Sequence, residues 1–411
     1  MNTNRSIIKF SALVIIFFTV ITSCRKDNQG PVSSYFVSKE LAVSYNKAYI
    51  SSMLNLASVQ IPEINPLKSL VTSDIDIYKM VYKTTINGKQ INASGLVCVP
   101  ATPGDYPVLS FQNGTNTLNA NAPSESASGY TYQLIEIIAS MGYVVLIADY
   151  PGFGESVQLP HPYLVKEPTI QSLVDMLFAV KELAGSELPG ITLKNEYYLL
   201  GYSQGGWATL ALHKALELNY SSDFNLHGSA CGAGPYNIFL LMQGILNVAS
   251  YPMPVYLGYI LNAYTSYNQF TNPVSDIFNE PYASRLTSLY TGFMSSDQIN
   301  AQLTTSIPAL ITPDFLSGFA TSPKYTSVRN ALNNNSITGW HSLKPLLLIH
   351  GGNDTQVNPV STENMYSAMI QEGTSPDICK KVIVPNVDHG NGLVPCMIQA
   401  ILFLQNLRTS N

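Results

Sequence analysis

A serine flanked by two glycines is the residue in this chain whose surroundings point most directly to chemistry. The pentapeptide Gly201-Tyr202-Ser203-Gln204-Gly205 lies between a β-rich run and a helical run, the context in which a Gly-x-Ser-x-Gly turn presents a nucleophile. The turn is sharp, so Gly201 and Gly205 leave room for Ser203 on a strained bend at the end of a strand. A serine hydroxyl attacks a carbonyl carbon only when a base takes its proton. The pentapeptide therefore predicts acyl transfer, provided that a base and an acid follow it.

The base is expected late in the chain, because the order after such a turn is serine, acid, histidine. His389 lies in a loop directly after the last predicted strand and before the last predicted helix. Asp354, just past an apolar strand, is the preferred acid, since its carboxylate would hold the imidazole tautomer and stabilise the imidazolium. Asp388 is the rival acid, but adjacent loop residues rarely face each other. The other histidines fit the role of base less well: His161, His213, His227, His341 and His350.

Acyl transfer also needs hydrogen-bond donors for the oxygen that becomes negatively charged. The backbone N–H of Gln204 is expected to be one donor, because it follows the nucleophile at a helix N-terminus. The second is expected from the loop after the predicted strand Pro107 to Gln112. Thr115 is the preferred residue in that loop, with Gly114 as the alternative.

The elements that must position these residues alternate between strands and helices, which predicts a mostly parallel sheet with helices on both faces. The dipeptide Asn87-Gly88 predicts a hairpin between the first two strands. The predicted strands are Ile75 to Ile86, Gln90 to Val99, Pro107 to Gln112, Tyr143 to Ala148, Glu196 to Leu200, Leu226 to Ala230, Pro345 to His350 and Lys381 to Val384. Predicted helices are Leu41 to Leu56, Tyr130 to Met141, Ile170 to Leu183, Gly205 to Leu218, Ser361 to Gln371 and Leu393 to Leu407.

The alternation stops between residues 235 and 340, a segment rich in Tyr and poor in charge. A structureless loop of that length is implausible in a compact domain, so the segment is expected to be a largely helical cap. The expected organisation is a signal peptide (1–23), an N-terminal extension (24–70), two parts of an α/β core (71–234 and 341–411) and the cap (235–340) between them.

The first 23 residues have the features of an export signal. Arg5 and Lys9 are positive, and the run Phe10 to Thr22 is uncharged and mostly apolar, shorter than the roughly 20 apolar residues that span a bilayer. The sequence Ile21-Thr22-Ser23-Cys24 resembles the bacterial lipobox, so Cys24 is expected to carry acyl chains that hold the protein on a membrane. A plain secretory signal followed by a chance cysteine is the alternative.

Four further cysteines would be exported with the mature chain, where disulfides can form. A bridge between Cys379 and Cys396 would hold the intervening loop, although the sequence alone does not determine the pairing. Cys98 and Cys231 lie in strand-like or small-residue segments and are expected to be buried thiols.

Composition excludes several classes of partner. Of 411 residues, 46% are hydrophobic and only 11% charged, with a formal charge of −5, the opposite of the balance in disordered chains. Clusters of Lys and Arg that could neutralise phosphates are missing, so no nucleic acid is expected. The sequence has no Gly-rich phosphate loop, Cys-x-x-Cys pair or His-Glu-x-x-His motif, so neither a cofactor nor a metal is expected.

Together these residues resemble the α/β-hydrolase superfamily, from about Ile75 to Leu407 except for the insertion. Asp149-Tyr150-Pro151-Gly152-Phe153-Gly154, His161-Pro162-Tyr163-Leu164 and Ser203-Gln204-Gly205-Gly206 are similar to the secretory lipase and esterase group, which has a cap between the sixth and seventh strands. The resemblance implies hydrolysis of carboxylic esters by Ser203, His389 and Asp354. Relatives commonly have His-Gly where this chain has Asn113-Gly114, an exchange that keeps a backbone donor but changes the hydrogen bonding of the loop.

The favoured hypothesis is a membrane-anchored bacterial serine esterase or lipase, at the periplasmic face or the cell surface, acting on small-molecule or lipid esters with apolar groups. A peptidase or a carbohydrate deacetylase with the same triad is one alternative, because the fold permits both. A ligand-binding lipoprotein that does not turn over its ligand is another. The sequence leaves acyl-chain length, alcohol moiety, membrane leaflet and oligomeric state open.

Overall fold

The protein is built on a nine-stranded sheet in the computed structural model, which describes residues 34–409. The strands are β1 (Phe36–Tyr45), β2 (Ile75–Ile86), β3 (Lys89–Pro100), β4 (Gly104–Gln112), β5 (Val144–Ala148), β6 (Ile191–Tyr202), β7 (Leu226–Gly232), β8 (Leu346–Gly351) and β9 (Cys379–Val384). They lie in the order β1-β2-β3-β5-β4-β6-β7-β8-β9. The three pairings from β1 to β5 are antiparallel, and the other five are parallel. The predicted mostly parallel sheet is confirmed.

Helices connect the strands and cover the sheet. They are α1 (Lys47–Gln60), α2 (Asn65–Lys68), α3 (Tyr130–Glu136), α4 (Lys166–Glu187), α5 (Gln204–Asn219), α6 (Ile238–Leu246), α7 (Pro254–Ser266), α8 (Tyr282–Leu289), α9 (Ser296–Asn300), α10 (Ile307–Leu310), α11 (Pro313–Gly318), α12 (Thr326–Asn335), α13 (Val360–Gln371) and α14 (Leu393–Thr409). Short 3-10 turns lie at Pro62–Ile64, Asn119–Asn121, Pro123–Glu125, Ile137–Met141, Gly154–Ser156, Val274–Asp276 and Pro323–Tyr325.

The predicted hairpin joins β2 and β3. Asn87 and Gly88 have φ values of 50° and 73°, and the strands pair without a break from Ile86 opposite Lys89. A two-residue turn with positive φ at both central residues matches the right-handed twist of the strands, which is why Asn-Gly is favoured there.

The N-terminal segment differs from the prediction, because the predicted helix Leu41 to Leu56 is a strand in its first part. β1 ends at Tyr45, and α1 begins at Lys47 after Asn46, whose side chain accepts a hydrogen bond from the Tyr49 N–H. In β1 only Phe36 is buried, and two irregularities interrupt its pairing with β2. An exposed edge strand of this kind lacks the alternation that identifies strands in a sequence. The cap thus follows the sixth predicted strand, which is the seventh strand in the structure.

Two hydrophobic clusters cover opposite faces of the sheet and explain the state of the cysteines. The first contains side chains of α4 and α5 and of the insertion, and the second those of α1, α3 and α14. The bridge considered between Cys379 and Cys396 is not formed, because Cys379 belongs to the first cluster and Cys396 to the second. Cys98 and Cys231 are buried thiols, as predicted.

The insertion between β7 and β8 is helical and packs on the sheet domain through its tyrosines. Its helices are α6 to α12, and it contains isolated β-bridges but no β-strand. Tyr259, Tyr264 and Tyr267 of the insertion donate hydrogen bonds to the backbone carbonyls of Asn116, Leu164 and Pro160. Buried tyrosine hydroxyls need such partners, so a Tyr-rich, charge-poor sequence is suited to this interface.

Between residues 34 and 409, none of the helices is both long enough and apolar enough to cross a membrane. The predicted signal peptide and the lipid-bearing Cys24 lie outside the described residues.

Candidate active site

The sharp turn predicted around Ser203 joins β6 to α5. Ser203 has φ 60° and ψ −122°, a conformation that costs a non-glycine residue of order 1–3 kcal/mol. A Cβ at Gly205 would overlap the backbone of Gln112, and one at Gly201 would overlap Gly205 and Thr209. Both glycines are therefore required sterically, because the turn passes directly against β4 and α5.

His389 approaches Ser203 from the loop between β9 and α14. Its Nε2 lies 2.9 Å from Ser203 Oγ, and its Nδ1 lies 2.5 Å from Asp354 Oδ2. Since a carboxylate only accepts hydrogen bonds, Nδ1 carries the proton and Nε2 is free to accept the serine proton. The Tyr202 hydroxyl donates a 2.7 Å hydrogen bond to the His389 carbonyl, which ties this loop to the residue before Ser203.

Asp354 is held in the turn after β8 by backbone and side-chain donors. Its Oδ1 accepts hydrogen bonds of 2.9 Å from the N–H groups of Gln356 and Val357. Burial raises the pKa of Asp354, but hydrogen bonds from His350 and His389 together lower it to about 2. The carboxylate is therefore ionised at neutral pH.

The rival acid Asp388 is exposed and makes a different set of contacts. Its two carboxylate oxygens accept hydrogen bonds from the backbone N–H and the side-chain amide of Asn391. It thus stabilises the turn that leads into α14, and Asp354 is the carboxylate that contacts His389.

His350 supports Asp354, a role that the sequence analysis did not assign. Its Nε2 lies 2.8 Å from the Val357 carbonyl and 3.1 Å from Asp354 Oδ2. Both partners are acceptors, so Nε2 carries the proton, and Nδ1 accepts from the Thr362 hydroxyl at 2.8 Å. Its position four residues before Asp354, at the end of an apolar strand, was the available signal.

The predicted oxyanion donors lie beside Ser203. A Cβ built on Gly114 would be 3.8 Å from the Ser203 Cβ, and the Thr115 hydroxyl lies 2.9 Å from that of Tyr163. The backbone N–H groups of Gly114, Thr115 and Gln204 have no hydrogen-bond partner among residues 34–409. These groups are available to a negatively charged oxygen.

His161 is a second residue whose place in the site sequence reasoning missed. Its Nδ1 donates to the Pro151 carbonyl at 2.9 Å, so its Nε2 accepts from the Gln204 side-chain amide at 2.8 Å. Burial lowers the pKa of His161 to about 4, and the ring is neutral at pH 7. His161 therefore fixes the side chain of the residue that follows Ser203. Its occurrence in one of the segments that carried the family resemblance was the only signal.

The insertion covers Ser203 and leaves a cavity of about 20 Å³ beside it. Tyr251 and Tyr256 of the insertion donate hydrogen bonds to the carbonyl and side-chain oxygens of Gln356. The cavity walls from the insertion are Pro235, Leu241, Ile245, Tyr251, Tyr256, Leu257 and Ile260. Within residues 34–409, no cluster of His, Cys, Asp or Glu side chains could hold a metal ion.

The sheet order, the turn at Ser203 and the order Ser203, Asp354, His389 are those of an α/β-hydrolase. Residues 121–376 match the sequence profile described as secretory lipase. The chain belongs to the secretory lipase family and is an ester-hydrolysing enzyme, and the family's description indicates export. A comparison with curated protein sequences found no match.

Solved structures share this fold over nearly the whole chain. A protein from Legionella pneumophila described as a hydrolase is 26% identical with a TM-score of 0.78, covering 91% of this chain and 98% of its own. The rice cell wall degrading esterase LipA from Xanthomonas oryzae is 24% identical with a TM-score of 0.77, covering 92% and 98%. Candida antarctica lipase A in its closed state is 15% identical with a TM-score of 0.65, covering 91% and 82%.

Proposed function

We propose that Ser203 is the nucleophile, His389 the general base and acid, and Asp354 the carboxylate that orients His389. The observation that carries this proposal is the unbroken hydrogen-bond chain from Ser203 Oγ through His389 to Asp354. Ser203 Oγ attacks the ester carbonyl carbon as its proton passes to His389 Nε2. His389 gives that proton to the alcohol oxygen, the C–O bond breaks, and the acyl group stays on Ser203. Water then attacks the acyl carbonyl, its proton passing through His389 to Ser203, and the acid leaves.

The negative oxygen formed at each attack is stabilised by backbone N–H groups. Gln204 supplies one at the N-terminus of α5, where the helix dipole also favours negative charge. Thr115, or Gly114 beside it, supplies the other. The His161 hydrogen bond to the Gln204 side chain supports this assignment, because it holds the donor residue in place before the substrate arrives.

The substrate is an ester with an apolar acyl group. The cavity beside Ser203 is lined mainly by aliphatic and tyrosine side chains and by no charged one, so burying a charged acyl group there would be costly. A volume of about 20 Å³ is far below the several hundred Å³ of typical ligand pockets. Segment 235–340, which lies between core parts 71–234 and 341–411, therefore acts as a cap that moves to admit the acyl chain of the substrate.

A fluorophosphonate probe tests the nucleophile directly. We expect the probe to label the Ser203 peptide. Labelling should be lost in Ser203→Ala and should be at least 100-fold slower in His389→Ala. The exposed Ser317, changed to Ala, is the matched control and keeps full labelling. Labelling that persists in Ser203→Ala would contradict the proposal.

We also propose that the protein is an exported bacterial lipoprotein. Residues 1–23 are removed, and Cys24, the first residue of the N-terminal extension 24–70, carries the lipid. In a bacterial host, an alkyne-tagged fatty acid should label the wild type, and Cys24→Ser should lose both the label and membrane association. Labelling that survives Cys24→Ser would exclude this anchor.

A further inference from the structure

The loop after β4 carries both candidates for the second oxyanion donor, the N–H groups of Gly114 and Thr115. Neither N–H has a hydrogen-bond partner among residues 34–409. A glycine has no Cβ to restrict its φ and ψ angles, so rotation about Gly114 would turn these N–H groups relative to Ser203. Donors stabilise a developing negative charge best when they are held in place before the reaction. The loop therefore needs contacts that fix the chain on both sides of Gly114.

Tyr150 fixes the peptide before Gly114. Its hydroxyl donates a 3.2 Å hydrogen bond to the Asn113 carbonyl. The Asn113 C=O and the Gly114 N–H belong to one planar trans peptide, in which they point in opposite directions. Gly205 leaves room for this carbonyl, because a Cβ there would lie only 2.8 Å from the Asn113 oxygen. The bond that holds the carbonyl therefore also sets the direction of the Gly114 N–H.

Tyr163 fixes the residue after Gly114. The hydroxyl groups of Tyr163 and Thr115 are 2.9 Å apart. Tyr163 is buried, and its ring stacks on that of Tyr259 from the insertion, with the centroids 4.4 Å apart and the planes 7° from parallel. A side chain held at both its ring and its hydroxyl has little rotational freedom. Thr115 is thus tied to a fixed point of the structure.

Tyr150 has a backbone conformation that is uncommon for a residue of its size. Its φ is 65°, and the residue is 2% exposed. Bulky residues rarely adopt a positive φ, and such conformations cluster at active sites, where surrounding contacts fix them. The Tyr150 ring also lies 5.7 Å, centroid to centroid, from that of His161, which holds Gln204. Segment 150–163 therefore contacts the residues on both sides of the oxyanion site.

We propose that Tyr150 and Tyr163 are positioning residues for the second oxyanion donor. Their hydroxyls hold the chain on the two sides of Gly114, so that the donor faces the ester oxygen before Ser203 attacks. They act through Asn113 and Thr115 and not on the ester itself. This role rests on the proposed function and extends it, because the donor loop is held by side chains of segment 150–163.

Tyr150→Phe and Tyr163→Phe each remove one hydroxyl and keep the ring. A complete oxyanion donor contributes roughly 10²–10³ in kcat, and a displaced donor keeps part of that effect. We therefore expect each variant to hydrolyse p-nitrophenyl acetate with a kcat about tenfold lower and a KM within about twofold of the wild type, since the donors act in the transition state.

A sulfur analogue distinguishes positioning of the donor from general damage to the site. In p-nitrophenyl thionoacetate, C=S replaces C=O, and sulfur is a weaker hydrogen-bond acceptor than oxygen. The ratio of kcat/KM for the oxygen ester to that for the sulfur analogue should fall at least about threefold in both tyrosine variants. Asp354→Asn impairs proton transfer with both esters, so its ratio should stay within about twofold of the wild type.

Tyr143→Phe is the matched control. Tyr143 lies directly before β5, is 2% exposed like Tyr150, and donates a 3.1 Å hydrogen bond to Gln405 of α14. The variant thus loses a buried tyrosine hydroxyl outside the oxyanion site. It should keep the wild-type kcat and the wild-type ratio of the two esters.

Thermal unfolding shows which variants fold. Tyr163→Phe tests the role if Tyr150→Phe does not fold, and Thr115→Val removes the same contact from its other side. For either tyrosine, an unchanged kcat in the folded variant would overturn the role. A lower kcat with the wild-type ratio of the two esters would overturn it as well, because the hydroxyl would then be merely structural. Absence of Ser203-dependent hydrolysis by the wild type would instead contradict the proposed function, and the positioning role with it.

Discussion

Replacing Asp354 by Asn is the most informative single change to the site. The carboxylate accepts a hydrogen bond from His389 Nδ1 at 2.5 Å. An amide NH₂ group in that place would donate instead, and the imidazole would then carry its proton on Nε2. In that tautomer His389 cannot take the Ser203 proton.

The expected loss follows from this tautomer change. An Asp to Asn exchange of this kind lowers kcat by about 10⁴-fold, which corresponds to about 5.5 kcal/mol at 1.36 kcal/mol per decade. The assay is the hydrolysis of p-nitrophenyl acetate under saturating conditions. Asp388→Asn is the matched control and should stay within about twofold of the wild type, because Asp388 contacts Asn391.

The same variant has a predicted effect on stability. The pKa of Asp354 is about 2 in the folded protein, below the ordinary value of 3.8 for an aspartate, so ionisation favours the folded state above pH 4. That contribution, about 2 kcal/mol at pH 7 from the linkage relation, is lost as the pH falls from 4 towards 2. The difference in unfolding free energy between wild type and Asp354→Asn should narrow over the same interval. A large activity loss in Asp388→Asn with a small one in Asp354→Asn would show that Asp388, not Asp354, orients His389.

Three further predictions concern other buried groups and the coupling of the site. Glu136 is buried, and neither of its carboxylate oxygens has a hydrogen-bond partner among residues 34–409. Burial raises its pKa to about 8, so the free energy of unfolding should fall as the pH rises from 4.5 to 8. Glu136→Gln should therefore raise the free energy of unfolding, measured with urea, by about 3 kcal/mol at pH 7 and leave it unchanged at pH 4. His161→Phe removes the acceptor for Gln204 and should lower kcat on p-nitrophenyl acetate about tenfold with little change in KM; an unchanged kcat would exclude positioning through Gln204. Ser203→Ala and His389→Ala should each lower kcat by several orders of magnitude, and the double variant should be little worse than either, since the residues act as a unit; multiplicative losses would contradict the triad.

The three residues that form the hydrogen-bond chain of the site could be predicted because each follows the carboxyl end of a predicted strand. Ser203 follows β6, Asp354 follows β8 and His389 follows β9. Parallel strands bring their carboxyl ends to one edge of the sheet, so positions in the sequence translate into proximity. The choice of Asp354 over Asp388 also agrees with the observed hydrogen bonds.

Supporting residues were harder to predict, because their contacts are not encoded by local patterns. His350 supports Asp354 from within β8, and His161 reaches Gln204 across 43 positions of the chain. In a single sequence each resembles an ordinary buried histidine. Only the packed structure supplies the partner that gives the ring its role.

The incorrect predictions from sequence also concern contacts that local sequence patterns do not encode. β1 was not predicted since its side chains are mostly exposed and its pairing is irregular. The bridge between Cys379 and Cys396 was considered from sequence spacing, but the two side chains lie in hydrophobic clusters on opposite faces of the sheet. Spacing along a chain gives no information about which face of a sheet a side chain occupies.

Ester hydrolysis through Ser203 is tested with p-nitrophenyl esters, from acetate to palmitate, on the purified signal-less protein and its Ser203→Ala variant. We expect turnover by the wild type at one or more chain lengths and a loss of several orders of magnitude in the variant. Equal rates for the two proteins, or no turnover by the wild type at any chain length, would contradict ester hydrolysis through Ser203.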